Sequence, residues 1–321
     1  MKWFDNLFHR PPKNRKPALT LDGWSPFYSQ FGTDIYASDV VQQCLKCIVD
    51  EMKKLNPQHV RVSGADPAPV WNSTVQKVLN EPNKLMTASD FIEKTTWLLL
   101  LNYNAFIVPT YSTWIDEKTG AERRYYTALY PLKPSSVEFI VDESDTLFVH
   151  FYFLNGFDTT VRYSDVIHLR LSYSVNEYMG GDQMGQPNHK SILGTLELNH
   201  DLLQGVAKAM KASYAVNGVI KYNTLIDDGT MDKNLKELER KLQSNESGFL
   251  PIDLKADFTP LESRTNLVDK PTLEFVDEKI LRYWGVPLCI LKGDYTKEQY
   301  EAFYQKTHEP LIISFSQAFT K

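Results

Sequence analysis

The sequence predicts an α+β fold in which amphipathic helices and antiparallel strands occupy separate stretches of the chain. Apolar residues recur at helical spacing in residues 38–55, 87–101, 189–215 and 272–284. Between residues 136 and 171 the spacing changes to two, which is typical of half-buried strands. Residues 218–260 read as a small β–α–β insert, which is too short to bury a core of its own and is expected to rely on neighbours.

Composition limits the function before any motif is considered. The 321 residues are 42% hydrophobic, 23% charged and carry a formal net charge of −5. This balance argues against a protein that coats nucleic acid, because tight phosphate binding needs a basic surplus. Three cysteines do not form a disulfide framework, and the N-terminus lacks the apolar core of a secretory signal, so we expect a cytosolic origin. The apolar cluster Trp97–Leu101 is far too short to span a bilayer.

Residues 1–37 are expected to form a flexible, basic N-terminal arm. The positive charges come from Lys2, Arg10, Lys13, Arg15 and Lys16, and the pair Pro11-Pro12 breaks any helix. The alternative is an arm that docks on a neighbouring subunit or partner through its apolar residues Trp3, Phe4, Leu7 and Phe8.

The helix predicted over residues 38–55 begins at Ser38 or Asp39 and contains the pair Cys44 and Cys47. Two cysteines at this spacing can bind zinc or carry redox chemistry. Here they lie in the middle of the helix on its apolar face, and no second pair follows. The pattern therefore favours two small buried side chains.

Shorter elements follow in order. His59–Ser63 reads as a strand, Ser73 caps a helix that ends near Leu79, and Thr87 or Ser89 caps the helix over 87–101. Residues 102–111 and 127–132 read as strands. Alternating apolar residues then predict an antiparallel meander formed by Val137, Phe139 and Val141, by Leu147, Val149, Phe151 and Phe153, and by Val166, Ile167 and Leu169.

Two further patterns could carry chemistry. Gly180, Gly181 and Gly185 precede a helix, so a phosphate cradle is conceivable, but neither established glycine-rich phosphate motif is present, which favours a hinge or surface loop. Asp165 and His168 lie at the end of a strand run and could act as acid and base. A strand-end carboxylate and a core histidine are the commoner interpretation.

The stretch 272–310 has the pattern of a structural element with a hinge rather than of a catalytic centre. Apolar residues from Leu273 to Trp284 predict a helix, Gly285 stands where a C-terminal cap would stand, and Pro287 prevents continuation. A polar loop spans residues 292–296. Thr296 is placed to cap a second helix, which Pro310 would kink or end.

These segments, taken in order, resemble the portal proteins of HK97-type bacteriophages. The similar motifs are VVQQCLKCIVDEMKKLNP, LNEPNKLMTASDFIEKTTWLLLLNYNAF, LYPLKPSSVEF, DVIHLRL, GQPNHKSIL and ILRYWGVPLCIL, followed by Glu309-Pro310-Leu311. The resemblance runs from about Val40 to the end. Tyr103 departs from the pattern, since the family usually has glycine there. Family members also continue past the kinked helix into a crown, so we expect Lys321 to mark a truncated or short C-terminus.

The resemblance implies a portal-type fold with assigned regions. These are the wing at 38–188, a first stem helix at 189–217, the clip at 218–262, a second stem helix at 263–288, and the tunnel loop and start of a kinked helix at 289–321. It places Lys292, Gly293, Asp294, Tyr295, Thr296 and Lys297 in a loop facing DNA, with hinge or kink positions at Gly285, Pro287 and Pro310. The clip residues Leu235, Leu238, Leu242 and Phe249 would contact the terminase or connector.

The implied function is a non-enzymatic channel at one capsid vertex for DNA packaging, genome ejection and head–tail joining. The implied partners are further copies of the chain in a ring, a dodecamer in many family members, the terminase large subunit, the major capsid protein, a head–tail connector and double-stranded DNA. No cofactor, metal or membrane is implied, and the protein would assemble in the host cytoplasm and reside in the virion.

Two other functions stay open at this stage. One is a cytosolic enzyme with a site at the glycine loop 180–185. The other is an adaptor or scaffold that binds partners through the arm at residues 1–20.

Overall fold

The computed structural model describes residues 16–17, 27–29, 38–63, 66–117, 120–173, 175–213, 218–222, 233, 236, 240, 256–260 and 270–321. The chain divides into two compact units, Met1–Leu196 with Val276–Lys321, and Glu197–Phe275.

Helices and strands are both abundant, which confirms the α+β class. The helices are Asp39–Met52 (α1), Thr74–Asn80 (α2), Ala88–Asn102 (α3), Lys190–Ser213 (α4), Lys270–Trp284 (α5), Leu288–Lys292 (α6), Lys297–Phe303 (α7) and Glu309–Thr320 (α8). A π-helical turn, Tyr304–His308, separates α7 from α8. The strands are Lys16–Pro17 (β1), Phe27–Ser29 (β2), Val60–Ser63 (β3), Asp66–Pro69 (β4), Asn104–Ile115 (β5), Glu122–Leu132 (β6), Ser136–Val141 (β7), Leu147–Tyr152 (β8), Asp158–Arg162 (β9), Ile167–Arg170 (β10), Gly218–Tyr222 (β11) and Ala256–Pro260 (β12).

The predicted helix starts are found where the sequence places them. Ser73 accepts a bond from the backbone N–H of Gln76 and caps α2. Thr87 and Asp90 form a reciprocal capping box at the start of α3, which satisfies backbone donors that a helix otherwise leaves unpaired. Ser38 is the N-cap of α1, but its side chain makes no capping hydrogen bond.

Helix α3 ends in a left-handed residue, Tyr103, with φ of 58°. This is the position where the resemblance expects glycine, and a side chain in this conformation costs about 1–2 kcal/mol. The ring lies edge-on to His189, with 5.3 Å between ring centroids, and is 7% exposed. Burial of the aromatic ring offsets the backbone cost.

The strands of the first unit form two main sheets. Strand β7 pairs antiparallel with β8, and β8 pairs with β9; β1 and β2 both pair with β7. The second sheet has the order β10-β5-β6. The apolar residues of these strands form one buried core together with Met179, made of Phe106, Val108, Val137, Phe139, Val149, Phe151 and Val161.

The predicted meander is wrong in its last strand. The residues 166–169 were expected to continue the meander, but the third strand is β9, and β10 pairs with β5 in the other sheet. The reason lies in the turn. Residues Tyr163–Asp165 form a 3-10 turn after β9, which redirects the chain, and Leu169 then lies opposite Ala105. Apolar alternation is the same in either sheet, so spacing alone cannot distinguish them.

In the second unit, β11 and β12 form a two-stranded antiparallel sheet, with Gly218 opposite Pro260. The helical part of this unit carries apolar side chains in contact with solvent. Leu198 and Leu203 of α4 are 48% and 50% exposed, and Phe275 of α5 is 61% exposed. Exposed apolar side chains of this kind can mark a surface that a partner covers. The predicted clip residues Leu235, Leu238, Leu242 and Phe249 lie outside the described residues.

Candidate functional site

The end of α5 is a Schellman cap built on Gly285. The N–H of Gly285 donates to the carbonyl of Arg282 at 3.2 Å, and the N–H of Val286 donates to the carbonyl of Leu281 at 3.0 Å. Gly285 has φ of 71°, a left-handed conformation that glycine adopts without steric cost. Pro287 then becomes the N-cap of α6. The sequence predicted the cap and the stop but not the short helix that follows.

Helix α6 ends in the same motif. Gly293 has φ of 72°, its N–H donates to the carbonyl of Ile290, and the N–H of Asp294 donates to the carbonyl of Cys289, both at 3.1 Å. The two glycines differ in one respect. A Cβ on Gly293 would meet no atom within 4 Å, whereas a Cβ on Gly285 would lie 3.0 Å from Oγ1 of Thr307. Gly285 is therefore a contact point as well as a cap.

The segment predicted to face DNA lies on the surface as a short connection between α6 and α7. Lys292 is the last residue of α6, and residues 292–297 are all exposed. Thr296 forms a capping box with Gln299 at the start of α7, as the sequence predicts for the threonine. Lys297 lies 3.5 Å from the Glu301 carboxylate, in an exposed pair.

The charges on this segment nearly cancel. Residues 292–301 contain two lysines, Lys292 and Lys297, and three carboxylates, Asp294, Glu298 and Glu301. Hydrogen bonds from the backbone of Glu298 and from Thr296 hold the pKa of the Glu298 carboxyl below its usual value, so it is charged at neutral pH. A surface on which positive and negative charges nearly cancel does not bind phosphates strongly.

Helix α7 is tied to α1 through a tyrosine. The hydroxyl of Tyr300 donates to Oε2 of Glu51 at 2.8 Å, and Nζ of Lys54 donates to the other carboxylate oxygen. Burial acts to raise the pKa of the Glu51 carboxyl, but the hydrogen bonds from Lys54 and Tyr300 outweigh it, and the pKa lies below its usual value. The same bond, with burial, raises the pKa of Tyr300 to about 12. The tie is therefore intact at neutral pH.

A π-helical turn lies where the sequence predicts a kink. The N–H of Glu309 donates to the carbonyl of Tyr304, five residues earlier, and Pro310, which lacks an N–H, falls in the first turn of α8. The irregularity therefore precedes the proline. Within the turn, Oγ1 of Thr307 donates to the carbonyl of Gly285 at 2.8 Å. We call the contact of this turn with Gly285 and α1 the joint.

Five of the six backbone amides in the glycine loop 180–185, those of residues 180, 181, 182, 184 and 185, donate hydrogen bonds within the protein. The N–H of Gly180 donates to Oδ1 of Asn104 at 2.8 Å, and Oδ1 of Asp182 accepts from the N–H groups of Met184 and Gln186, both at 2.9 Å. A Cβ on Gly180 would lie 2.3 Å from the carbonyl oxygen of Leu171. The glycines allow close backbone approach, and these amides are not available to cradle a phosphate.

Asp165 and His168 do not form an acid–base pair. The Asp165 carboxylate lies 2.8 Å from Nη1 of Arg124. His168 is 3.2 Å from the Tyr163 hydroxyl and 3.1 Å from Oδ1 of Asn104. Burial lowers the pKa of His168 well below 6.5, so the ring is neutral at neutral pH. This agrees with the structural interpretation of both residues.

Cys44 and Cys47 have the properties of buried apolar residues. Cys44 is fully buried in α1 and Cys47 is half-buried. Burial raises the pKa of Cys44 to about 12 and that of Cys47 to about 11, so both thiols stay protonated. Across the described ranges, with their gaps, no group of three or more histidine, cysteine or acidic side chains is arranged to hold a metal. Nor does any helix in those ranges have the length and apolarity needed to cross a membrane.

Sequence reasoning missed three residues of the joint, Glu51, Thr307 and His308. Glu51 meets Tyr300 from 249 positions away in the chain, which no local pattern can reveal. Thr307 and His308 could have been noticed, because a proline two or three residues later disturbs the backbone bonds of the preceding turn.

Comparison with known proteins gives one consistent result. The family model for phage portal proteins matches residues 39–321. Probable portal proteins of Lactococcus phages p2 and SK1 are 26% identical to this chain over 110 residues, which is 33% of this chain and 29% of each relative. The match thus spans less than a third of the curated relatives.

Solved structures share the fold. A chain from the neck of a native GTA particle, computed with C12 symmetry, has a TM-score of 0.63 and 15% identity over 88% of this chain and 76% of that one. A chain from the virion of a native gene transfer agent particle has a TM-score of 0.58 and 15% identity, over 91% of this chain and 81% of that one.

Proposed function

We propose, from the premise that this chain belongs to the phage portal protein family, that copies of it form a ring around a channel for viral DNA at one vertex of a capsid. The observation that carries the proposal is the family match, which extends over residues 39–321. The role is structural and non-enzymatic, and it covers DNA packaging, genome ejection and head–tail joining.

The regional assignment is part of the proposal. Residues 38–188 form the wing, 189–217 and 263–288 the two stem helices, 218–262 the clip, and 289–321 the tunnel loop with the kinked helix that follows. The division into two units supports it, because the boundaries after Leu196 and after Phe275 fall within α4 and α5. The clip, with Leu235, Leu238, Leu242 and Phe249, would contact the terminase large subunit and later the connector.

Exposed apolar side chains in the second unit support a ring. The side chain of Leu203 in α4 is half exposed, as are those of Leu198 and Phe275. Full burial of an exposed leucine side chain contributes about 1.5–3 kcal/mol, so covering the exposed half of Leu203 would stabilise an interface by about 1 kcal/mol. A neighbouring copy that covers Leu203 would remove its apolar surface from water, and cyclic symmetry would repeat the contact around the ring.

The loop charges support a conduit that lets DNA slide. Each lysine that neutralises a phosphate adds to the salt-dependent attraction for DNA. Residues 292–301 contain two lysines and three carboxylates, so the loop has no surplus of positive charge that would hold the duplex. Lys292 and Lys297 are the cations we place nearest DNA, and Asp294 and Tyr295 lie between them. The energy for packaging would come from a separate ATPase.

The proposed partners are the major capsid protein around the wing, the terminase and connector at the clip, and double-stranded DNA in the channel. No cofactor takes part. The protein would assemble in the host cytoplasm and remain in the virion.

Assembly can be tested with matched substitutions. Leu203→Glu places a charge on the exposed face of α4, and Leu154→Glu places the same charge on a turn residue that is 87% exposed between β8 and β9. We expect the first variant to sediment as smaller species than the unmodified chain, and the second to assemble normally. Equal assembly by both variants, or equal loss, would contradict the role proposed for α4.

A further inference from the structure

His308 occupies an unusual place in the joint. It is the last residue of the π-helical turn and is 1% exposed. Neither ring nitrogen has a hydrogen-bond partner among the residues that the structure describes. Phe303 lies edge-on to the ring, with 4.6 Å between centroids. Buried polar groups are almost always paired, because an unpaired group loses its bonds to water without replacement.

A second buried, unpaired group belongs to the residue before Gly285. Nε1 of Trp284 is buried and also lacks a described partner. Trp284 directly precedes Gly285, and His308 directly follows Thr307. Gly285 and Thr307 share the hydrogen bond that closes the joint. Each residue of this hydrogen bond is therefore next in the chain to a residue with a buried nitrogen that lacks a described partner. Water that reaches these nitrogens would supply the hydrogen bonds that they lack.

The charged and titratable groups around His308 come from two directions. From α1, Glu51 and Lys54 act on the ring with opposite signs, the first favouring protonation and the second opposing it. From α7, the hydroxyl of Tyr300 donates a hydrogen bond to Glu51. From the turn itself, the ring centroid of Tyr304 lies 5.8 Å from that of His308. On the α5 side the contact is made by the Gly285 carbonyl, which carries no titratable proton.

We propose that His308 makes the joint acid-sensitive, so that protonation of its imidazole releases the π-helical turn from α1 and loosens α7 with the loop before it. The only carboxylate that acts on the ring, among the described residues, is Glu51, and it is already held by Tyr300 and Lys54. An imidazolium in the closed joint would thus be buried without a free acceptor. Opening exposes it to water. This property belongs to the chain itself and does not depend on the proposed function.

The direction in which the stability of the joint changes with pH follows from the burial of the His308 ring. Burial lowers the pKa of His308 in the closed joint, whereas an opened, hydrated ring has the ordinary value of about 6.5. The open form therefore binds the proton more tightly. The stability contributed by the neutral ring is present above about pH 6.5 and is lost as the pH falls below it towards the lower pKa of the closed joint. Glu51 stays charged over this range, because its pKa lies below the usual value.

Amide hydrogen exchange of the full chain tests the proposal. Protection factors, corrected for the intrinsic pH dependence of exchange, are compared at pH 7.5 and pH 5.5 for peptides covering residues 297–309. We expect protection in the unmodified protein to fall by up to about tenfold, the ratio of protonated to neutral imidazole at one unit below its ordinary pKa. His308→Gln should abolish most of this fall. His200→Gln removes an exposed histidine from α4 and should leave it unchanged.

A direct titration keeps the test decisive if His308→Gln does not fold. The C2 proton of His308, followed by NMR in the unmodified chain, should titrate below 6.5, and amide protection in 297–309 should fall over the same pH range. Titration at the ordinary value, or protection that is constant through the titration, would overturn the proposal. So would a fall of equal size in His308→Gln.

Discussion

Replacing Gly285 by alanine tests whether one specific contact closes the joint. Gly285 and Gly293 end helices with the same motif and nearly the same φ, 71° and 72°. Both substitutions place a side chain in the left-handed conformation, at about 1–2 kcal/mol each. Only at Gly285 does the new Cβ approach another side chain, Oγ1 of Thr307 at 3.0 Å. Gly293→Ala is therefore a matched control for the backbone cost.

The difference between the two variants can be worked out from the contact. Oγ1 of Thr307 donates to the Gly285 carbonyl at 2.8 Å, and a Cβ at 3.0 Å forces that oxygen to shift. Losing this hydrogen bond costs about 0.5–1.5 kcal/mol. We expect Gly285→Ala to lower the free energy of unfolding by about 1.5–3.5 kcal/mol, and Gly293→Ala by about 1–2 kcal/mol, so that the two variants differ by about 0.5–1.5 kcal/mol.

Urea unfolding of the two variants, followed by circular dichroism, measures these differences. Thr307→Val completes a double-mutant cycle with Gly285→Ala. If Gly285→Ala already breaks the bond, adding Thr307→Val should cost less than Thr307→Val costs in the unmodified chain. Equal losses from the two glycine substitutions, or strict additivity in the cycle, would refute the reasoning.

Three further outcomes are expected. Thr296→Ala removes the capping box of α7 and should cost about 1 kcal/mol, seen as faster amide exchange over residues 297–301 with α3 unaffected. Gly180→Ala places a Cβ 2.3 Å from the Leu171 carbonyl oxygen and should destabilise the chain by at least about 2 kcal/mol, whereas normal stability with loss of phosphate binding would favour a phosphate site. Cys44, with its pKa raised to about 12, should resist iodoacetamide at pH 8 in the folded chain and react on unfolding; rapid labelling of the folded protein would contradict its burial.

Local signals in the sequence were sufficient for much of the fold. The threonines at 87 and 296 cap helices because the residue three positions later can complete a reciprocal bond, and this chemistry is visible in the sequence. Gly285 is also recognisable from its neighbours, since it follows an apolar stripe and precedes a proline, as a glycine at a helix C-terminus often does. These features depend only on residues close together in the chain.

Strand pairing could not be read in the same way. The residues now in β10 alternate like the meander before them, yet they pair with β5, about 60 positions earlier. The choice is made by the turn at Tyr163–Asp165 and by the fit of Leu169 beside Ala105. Both depend on tertiary packing that alternation does not encode.

The contacts of the joint also depend on tertiary packing, so the sequence predicts only part of the candidate site. Gly285, Pro287 and Pro310 were identified from their backbone chemistry. The partners that give Gly285 its role, Thr307 and the π-helical turn, were not, because a π-helical turn has no distinct apolar period. Glu51 joins the site only through the packing of α1 against this turn. The predicted roles of Lys292–Lys297 towards DNA remain predictions.

The mass of the purified chain in solution, measured by light scattering on a sizing column and combined with negative-stain images of the peak, tests the central claim most directly. The chain has a mass of 37.0 kDa. A ring predicts a particle of many copies with a central hole wide enough for duplex DNA. A monomer or a discrete dimer that persists at high protein concentration, with no annular particles, would contradict the proposal that this chain builds a channel.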